Sequence, residues 1–250
     1  MTKCPPPSAL TCEVVTLPVD AACEAAVADL LAAAFPGMPQ AETRGRFAAY
    51  THLALAREDG RVVGALFFSR HETARRVYWG FRMNGVSAAI QSKGVLTRMA
   101  WAGFRQLIIP EWWRCAVMRR PDRRQEVVCF ARVCNPIAAR AMSAVRTMEP
   151  RFVDGCPPSA WAQDVYGELR EAAGIASLEV ATGLCPNSAQ EHGIAPQVRL
   201  DGRFPRFFQA WEATVPPGSE LVIIFRVGLG MLVRNVSSRL VVLLKRALSP

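Results

Sequence analysis

Residues 86–97 read Val-Ser-Ala-Ala-Ile-Gln-Ser-Lys-Gly-Val-Leu-Thr, an apolar, strand-like run that passes through a glycine turn straight into a helical pattern. That junction constrains the fold, because a strand feeding a helix in this way belongs to layered domains in which helices cover a sheet. It also makes an anion site available. A helix N-terminus presents free backbone N–H groups and the positive end of the helix dipole. Lys93 adds a formal charge, and Gly94 allows a positive φ or the close approach of a ligand. Spacing by itself describes an ordinary strand-to-helix turn more often than a phosphate site.

The elements on either side extend the pattern. Residues 11–17 alternate as a strand does, and Asp20 caps an alanine-rich helix with Ala26, Leu30, Leu31 and Ala34 on its apolar side, closed by Pro36-Gly37. Residues 52–57 and 61–69 form two strands joined by Glu58-Asp59-Gly60, a hairpin signal, and residues 76–88 continue the meander. A helix is predicted over 95–109, a strand over 126–134 and a helix from Asn135 onward. This order predicts an α+β, three-layer α/β domain with a mixed central sheet and helices on both faces. Past residue 155 the expectations are a helix over 159–173, a strand over 178–182 and a Pro- and Gly-rich stretch over 183–218. Residues 221–250 carry two apolar runs and five basic residues, read either as a strand and core or dimer-interface helix, or as an amphipathic surface helix. The domain expectation is therefore a disordered leader over 1–10, a core over 11–155 and a C-terminal extension over 156–250.

Charge is unevenly placed. The net charge is +9, and residues 61–124 hold thirteen Arg or Lys against Glu72, Glu111 and Asp122, which implies an anionic partner. No nucleic-acid motif accompanies that stretch. Eight cysteines show no Cys-x-x-Cys pair, so no metal site is expected, and their apolar settings suit a reducing cytoplasm. The first ten residues contain Pro5-Pro6-Pro7 and lack the apolar core of a secretory signal.

The run through Gln91 and Gly94 resembles the pyrophosphate loop of the GNAT superfamily of N-acyltransferases, Gln/Arg-x-x-Gly-x-Gly/Ala, with Leu96 as a departure. Asn84-Gly85 stands where that family carries a β-bulge, and Val86-x-Ala88 at its Val-x-Pro position. Asn135-Pro136-Ile137-Ala138 is similar to its Asn-x-x-Ala helix start, although Asn135 is equally read as a helix N-cap before Pro136. The resemblance covers residues 11–155. It implies transfer of an acyl group from a pantetheine thioester, acyl-CoA or acyl carrier protein, to a small-molecule amine. It further implies that Val86, Ser87 and Ala88 hold the pantetheine arm with Asn135, and that Gln91, Ser92, Lys93, Gly94, Val95 and Leu96 hold the phosphates.

The family's frequent Tyr, seven residues after the Asn, is Met142 here, and residues 76–88 lack the Glu that many members use as base. Glu72 and His71 are the expected catalytic side chains, with His52, Tyr78 and Ser87 as further candidates; Cys134 is read as a buried thiol. Leu96 crowds the diphosphate position, which favours a donor with one phosphate on a carrier protein, for which Arg119, Arg120, Arg123 and Arg124 would suit an acidic surface. Long-chain N-acyl amino acid synthases are similar in layout. The alternative reading is a non-enzymatic basic protein held at a membrane surface.

Overall fold

The computed structural model describes residues 10–35, 45, 47–87, 94–134, 136–142, 145, 147–151, 154–186 and 205–231. They fall into two units, one formed by described residues up to His71 with Trp79–Glu111, the other by Glu72–Tyr78 with described residues from Trp112 onward.

The first unit holds strands β1 (Leu10–Thr16), β2 (His52–Glu58) and β3 (Arg61–Glu72), and most of β4 (Arg76–Val86), in that spatial order. β1 and β2 pair antiparallel, as do β2 and β3, whose turn places Asp59 at φ 49° and Gly60 at φ 81°. Two consecutive positive φ values make the hairpin turn whose twist matches the flanking strands. Helix α1 (Ala21–Ala34) starts where Asp20 Oδ1 accepts the Cys23 N–H at 2.8 Å. It lies over one face of the sheet, where Val27 and Leu31 join Leu53, Leu55, Ala65 and Phe67 in a closed apolar cluster. Helix α2, which starts with Val95–Gly103, covers the opposite face: a Cβ on Gly64 would meet Met99 at 3.0 Å and Ala56 at 3.1 Å.

α2 begins as Val95–Gly103 and continues past the predicted end at 109 to Met118. Pro110 supplies the reason for its irregular middle. Proline has no N–H and its ring clashes with the carbonyl four residues back. The helix widens into a π-type stretch at Phe104–Ile108 just before it, with the Ile109 N–H reaching the Phe104 carbonyl. A second π-type stretch spans Trp113–Met118.

In the second unit the start of β4 lies beside the start of β5 (Glu126–Val133), the Glu126 N–H donating to the Arg75 carbonyl at 3.0 Å. The two strands therefore run in the same direction and the sheet is mixed. β8 (Glu220–Arg226) pairs antiparallel with β5, and on its other edge with β6 (Met148–Glu149) and β7 (Leu184–Cys185). Helix α3 (Pro136–Met142) packs on β5 and on α5 (Pro205–Thr214). Helix α4 (Ala160–Ala172), capped by Ser159, buries Ala162, Val165, Tyr166 and Leu169 against Tyr78, Val128, Phe130, Val222 and Ile224. The buried Val, Leu, Ile and Phe side chains among them contribute roughly 1.5–3 kcal/mol each. The fold is thus α+β, a mixed sheet with helices on both faces.

A further expectation changes at 178–182. Residues 178–183 form turns, the Gly183 N–H bonding the Glu179 carbonyl at 2.8 Å, and the strand is Leu184–Cys185. Gly183 takes φ 76° there, which the pattern of apolar residues did not reveal. The first apolar run of 221–250 is the buried strand β8, whereas the helix expected after it falls largely on 232–250, outside the described residues, as does most of the expected leader.

Candidate functional site

The junction after β4 is built from the backbone. β4 closes at Val86, and the Ser87 N–H donates to the Val63 carbonyl at 2.9 Å. At Gly85 a Cβ would sit 2.9 Å from Leu31, so a glycine is what lets α1 settle on this end of the strand. A bulge was expected at Asn84-Gly85; the Asn84 side chain is outside the described residues.

Gly94 is the N-cap of α2 at φ 70°, ψ 21°, a left-handed conformation that glycine adopts without a steric penalty. Among the described residues no side chain caps the helix, and its first turn holds no acidic residue. The Arg98 N–H bonds the Gly94 carbonyl at 3.1 Å, so the ladder begins there and the donors before it point out of the helix. A Cβ on Gly94 would find nothing among the described residues within 4 Å. Val95 is fully buried and pins the turn to the core, while Leu96 is half-buried beside it. Such a terminus can hold an anion through N–H groups and dipole alone. Ala88, Gln91, Ser92, Lys93 and Asn135 lie outside the described residues.

His71 and Glu72 end β3, at the hairpin where β4 begins, whereas Val86 and Ser87 stand where β4 ends. Eleven residues of strand span about 35 Å. Glu72 is engaged: its Oε1 accepts the Gln125 Nε2–H at 3.2 Å and lies 3.6 Å from Arg119 Nη2.

The other candidates are equally settled in the fold. His52 Nδ1 is 3.0 Å from Thr51 Oγ1, and its ring centroid is 5.4 Å from that of Trp79. Burial and then the Arg70 charge hold its pKa below the ordinary 6.5, so it is neutral at pH 7. Arg70 in turn forks onto Glu111 at 3.1 and 3.3 Å. Tyr78 is fully buried, and burial pushes its hydroxyl well above the usual range. Burial, with the Glu220 carboxylate, raises the Cys134 thiol, which leaves it protonated and a poor nucleophile. No group of three or more His, Cys, Asp or Glu side chains among the described residues could hold a metal ion.

Sequence reasoning missed a charged cluster around Arg76. Arg76 is 6 % exposed; its Nε donates to Glu126 Oε2 at 2.7 Å, its Nη2 to Asp164 Oδ2 at 2.6 Å, and its Nη1 to Glu168. Burial acts to lower its pKa, and the three carboxylates outweigh that and raise it. Its partners stand 50 to 92 residues away along the chain, so no local spacing signals the cluster.

No family model matches the sequence, and no curated protein matches it. Solved structures resemble it in part. A GNAT family acetyltransferase from Elizabethkingia anophelis with acetyl-CoA bound is 9 % identical, with 87 % of this chain and 98 % of that chain covered at a TM-score of 0.42. A GNAT family N-acetyltransferase from Escherichia coli in complex with CoA is 17 % identical, with 55 % of this chain and 68 % of that chain covered at 0.39. An aminoglycoside N-acetyltransferase in complex with CoA is 12 % identical, with 57 % of this chain and 88 % of that chain covered at 0.37.

Proposed function

We propose that the protein transfers an acyl group from a pantetheine thioester to a small-molecule amine, and that the donor's phosphate rests on the N-terminus of α2. The observation that carries this reading is the left-handed Gly94 at the start of α2, open and uncapped among the described residues, the next helix start after the strand that the GNAT resemblance assigns to the pantetheine arm. Backbone donors suit a thioester donor, because the arm is neutral and amide-like and only its phosphate end is charged. In the reaction the amine nitrogen attacks the thioester carbon, the oxygen becomes an oxyanion, and collapse expels the thiolate while the ammonium proton passes to solvent. His71 and Glu72 were the acid–base candidates in the sequence. The engagement of Glu72 with Gln125 and Arg119 counts against a proton-transfer role for it.

In its finer form the donor is a long-chain acyl group on a carrier protein. Leu96 in the first turn supports this, since its bulk beside the terminus leaves space for one phosphate more readily than for two. Calorimetry with CoA and with a phosphopantetheinylated acyl carrier protein separates the forms. The test of the site is Gly94→Val. A β-branched residue at a left-handed φ costs about 1–2 kcal/mol and fills the space a phosphate would use. Donor affinity is expected to fall at least about tenfold, equivalent to 1.4 kcal/mol, while circular dichroism stays unchanged. A folded variant that binds both donors as tightly as the wild type rejects the site.

A further inference from the structure

The last turns of α2 expose a surface that the phosphate site does not use. Among the described residues four large apolar side chains are well exposed, and three of them fall within six positions: Trp113 at 53 %, Val117 at 39 % and Met118 at 69 %. Cys115, between them, is fully buried and turned toward Gln125, so this π-type stretch has a wet apolar side and a dry one. The chain then turns through Pro121–Arg123, where Arg120, Arg123 and Arg124 are all exposed and Asp122 is the single acid. Arg119 points away from this surface, bonded to the Gln125 side chain and near Glu72. The Asp122 carboxylate lies 3.9 Å from Arg123, both groups more than 70 % exposed, an arrangement that neutralises little.

We propose that residues 113–124 dock on an anionic lipid surface, with Trp113, Val117 and Met118 entering the boundary between headgroups and acyl chains and Arg120, Arg123 and Arg124 meeting lipid phosphates. Both chemistries are needed to explain the patch. Protruding apolar tips are stabilised by a medium that closes around them, and the indole of Trp suits the bilayer interface. Arginine reaches phosphate from the same surface, because its aliphatic stem lies along apolar groups while the guanidinium stays hydrated and forks onto two oxygens. A neutral protein partner would bury the arginines without compensation. An acidic protein partner would satisfy them, yet would need pockets shaped for Trp113 and Met118. A nucleic acid would stack on Trp113 and leave Val117 and Met118 in water. The inference stands apart from acyl transfer and requires no feature of the Gly94 turn.

The experiment is co-sedimentation of the full chain with phosphatidylcholine vesicles, with and without phosphatidylglycerol, at low and high salt. The protein is expected to sediment with the anionic vesicles alone and to be released by salt. Arg120→Gln/Arg123→Gln/Arg124→Gln should weaken binding on the order of a hundredfold, three residues at about 1 kcal/mol each. Trp113→Ser/Met118→Ser should weaken it at unchanged charge, and a blue shift of indole emission on binding should vanish in Trp113→Phe. The substituted side chains are exposed, so melting temperatures should not move. Equal sedimentation with neutral vesicles, unaltered binding in either variant, or capture of an acidic carrier protein by this surface without vesicle binding would each overturn the proposal.

Discussion

Around β2 and β3 the sheet is closed chiefly by shape, with the Arg57–Glu13 and Arg70–Glu111 ion pairs beside it. Leu31 and Val27 of α1 lie over Leu53, Leu55, Ala65 and Phe67 on one face, and on the other Gly64 and Gly103 leave room for Met99 and the Phe68 ring. Around the start of β4 and of β5 the closure is ionic. Arg76 joins Glu126, Asp164 and Glu168, Arg75 adds a second bond to Asp164 at 2.9 Å, and Trp161 Nε1 donates to Glu126 at 3.2 Å. The first kind of closure tolerates no added volume, and the second tolerates no lost charge. That difference sets which substitutions each unit withstands.

The strongest way to break the comparison is Arg76→Met. It leaves three carboxylates together beside a buried apolar side chain, and removing one partner of a buried pair typically costs 3–5 kcal/mol. Asp164 is 46 % exposed and keeps Arg75, so the expected loss lies at the low end, about 3 kcal/mol in urea unfolding. Arg76→Lys, which keeps the charge and loses the fork, should fall between. A cost below about 1 kcal/mol would place the cluster with ordinary surface pairs and end the contrast.

Gly103→Ala tests the other closure, and its sign is diagnostic. In a helix, replacing Gly by Ala ordinarily stabilises by about 0.8–1 kcal/mol. Here a Cβ would stand 2.1 Å from Phe68 Cζ, and that ring is fully buried against Phe81, with centroids 5.3 Å apart. Overpacking costs about 1–3 kcal/mol, so the variant should melt lower. Gly167→Ala in α4, where an added Cβ meets nothing within 4 Å among the described residues, should melt higher by the ordinary propensity term. If both changes stabilise, the first unit has slack that its geometry denies.

What the sequence disclosed follows the same division. The apolar periods of α1, β2 and β3, the Asp20 cap and the Asp59-Gly60 turn are local signals, and each marks its element. Gly94 was legible because a glycine between a strand-like run and a helical pattern marks a turn able to take a positive φ. The continuation of α2 past Pro110 was not, since a π-type widening absorbs a proline that ordinarily ends a helix. The Arg76 cluster was illegible because its charges come from separate elements and look singly like solvated surface. The exposed patch at Trp113–Met118 was hidden too, since nothing in the spacing says which side of an apolar helix stays wet.

Acid pH offers the finest probe, because one shifted group of the first unit and two of the second titrate in different windows. His52 belongs to the first. Burial and the Arg70 charge depress its folded pKa below the 6.5 of the unfolded chain, so its neutral form is the one the fold accepts. The unfolded state then gains a proton first as pH falls, and stability declines from about 6.5 downward until the folded pKa is passed. Thr51, Trp79 and Arg70 face the ring, and none of them changes charge in that window. Glu168 and Asp164 belong to the second. Burial raises Glu168 and bonds from Thr73 and Arg76 outweigh it, while Arg75 and Arg76 lower Asp164. Their stabilisation is full above the unfolded values of 4.5 and 3.8 and is lost as pH falls through the folded ones. Melting temperature against pH should therefore show an early decline that His52→Asn removes, the amide preserving the bond to Thr51, and a later one that Arg76→Met removes. A single decline that both substitutions shift together would mean that the shape-closed and charge-closed regions unfold as one titrating body.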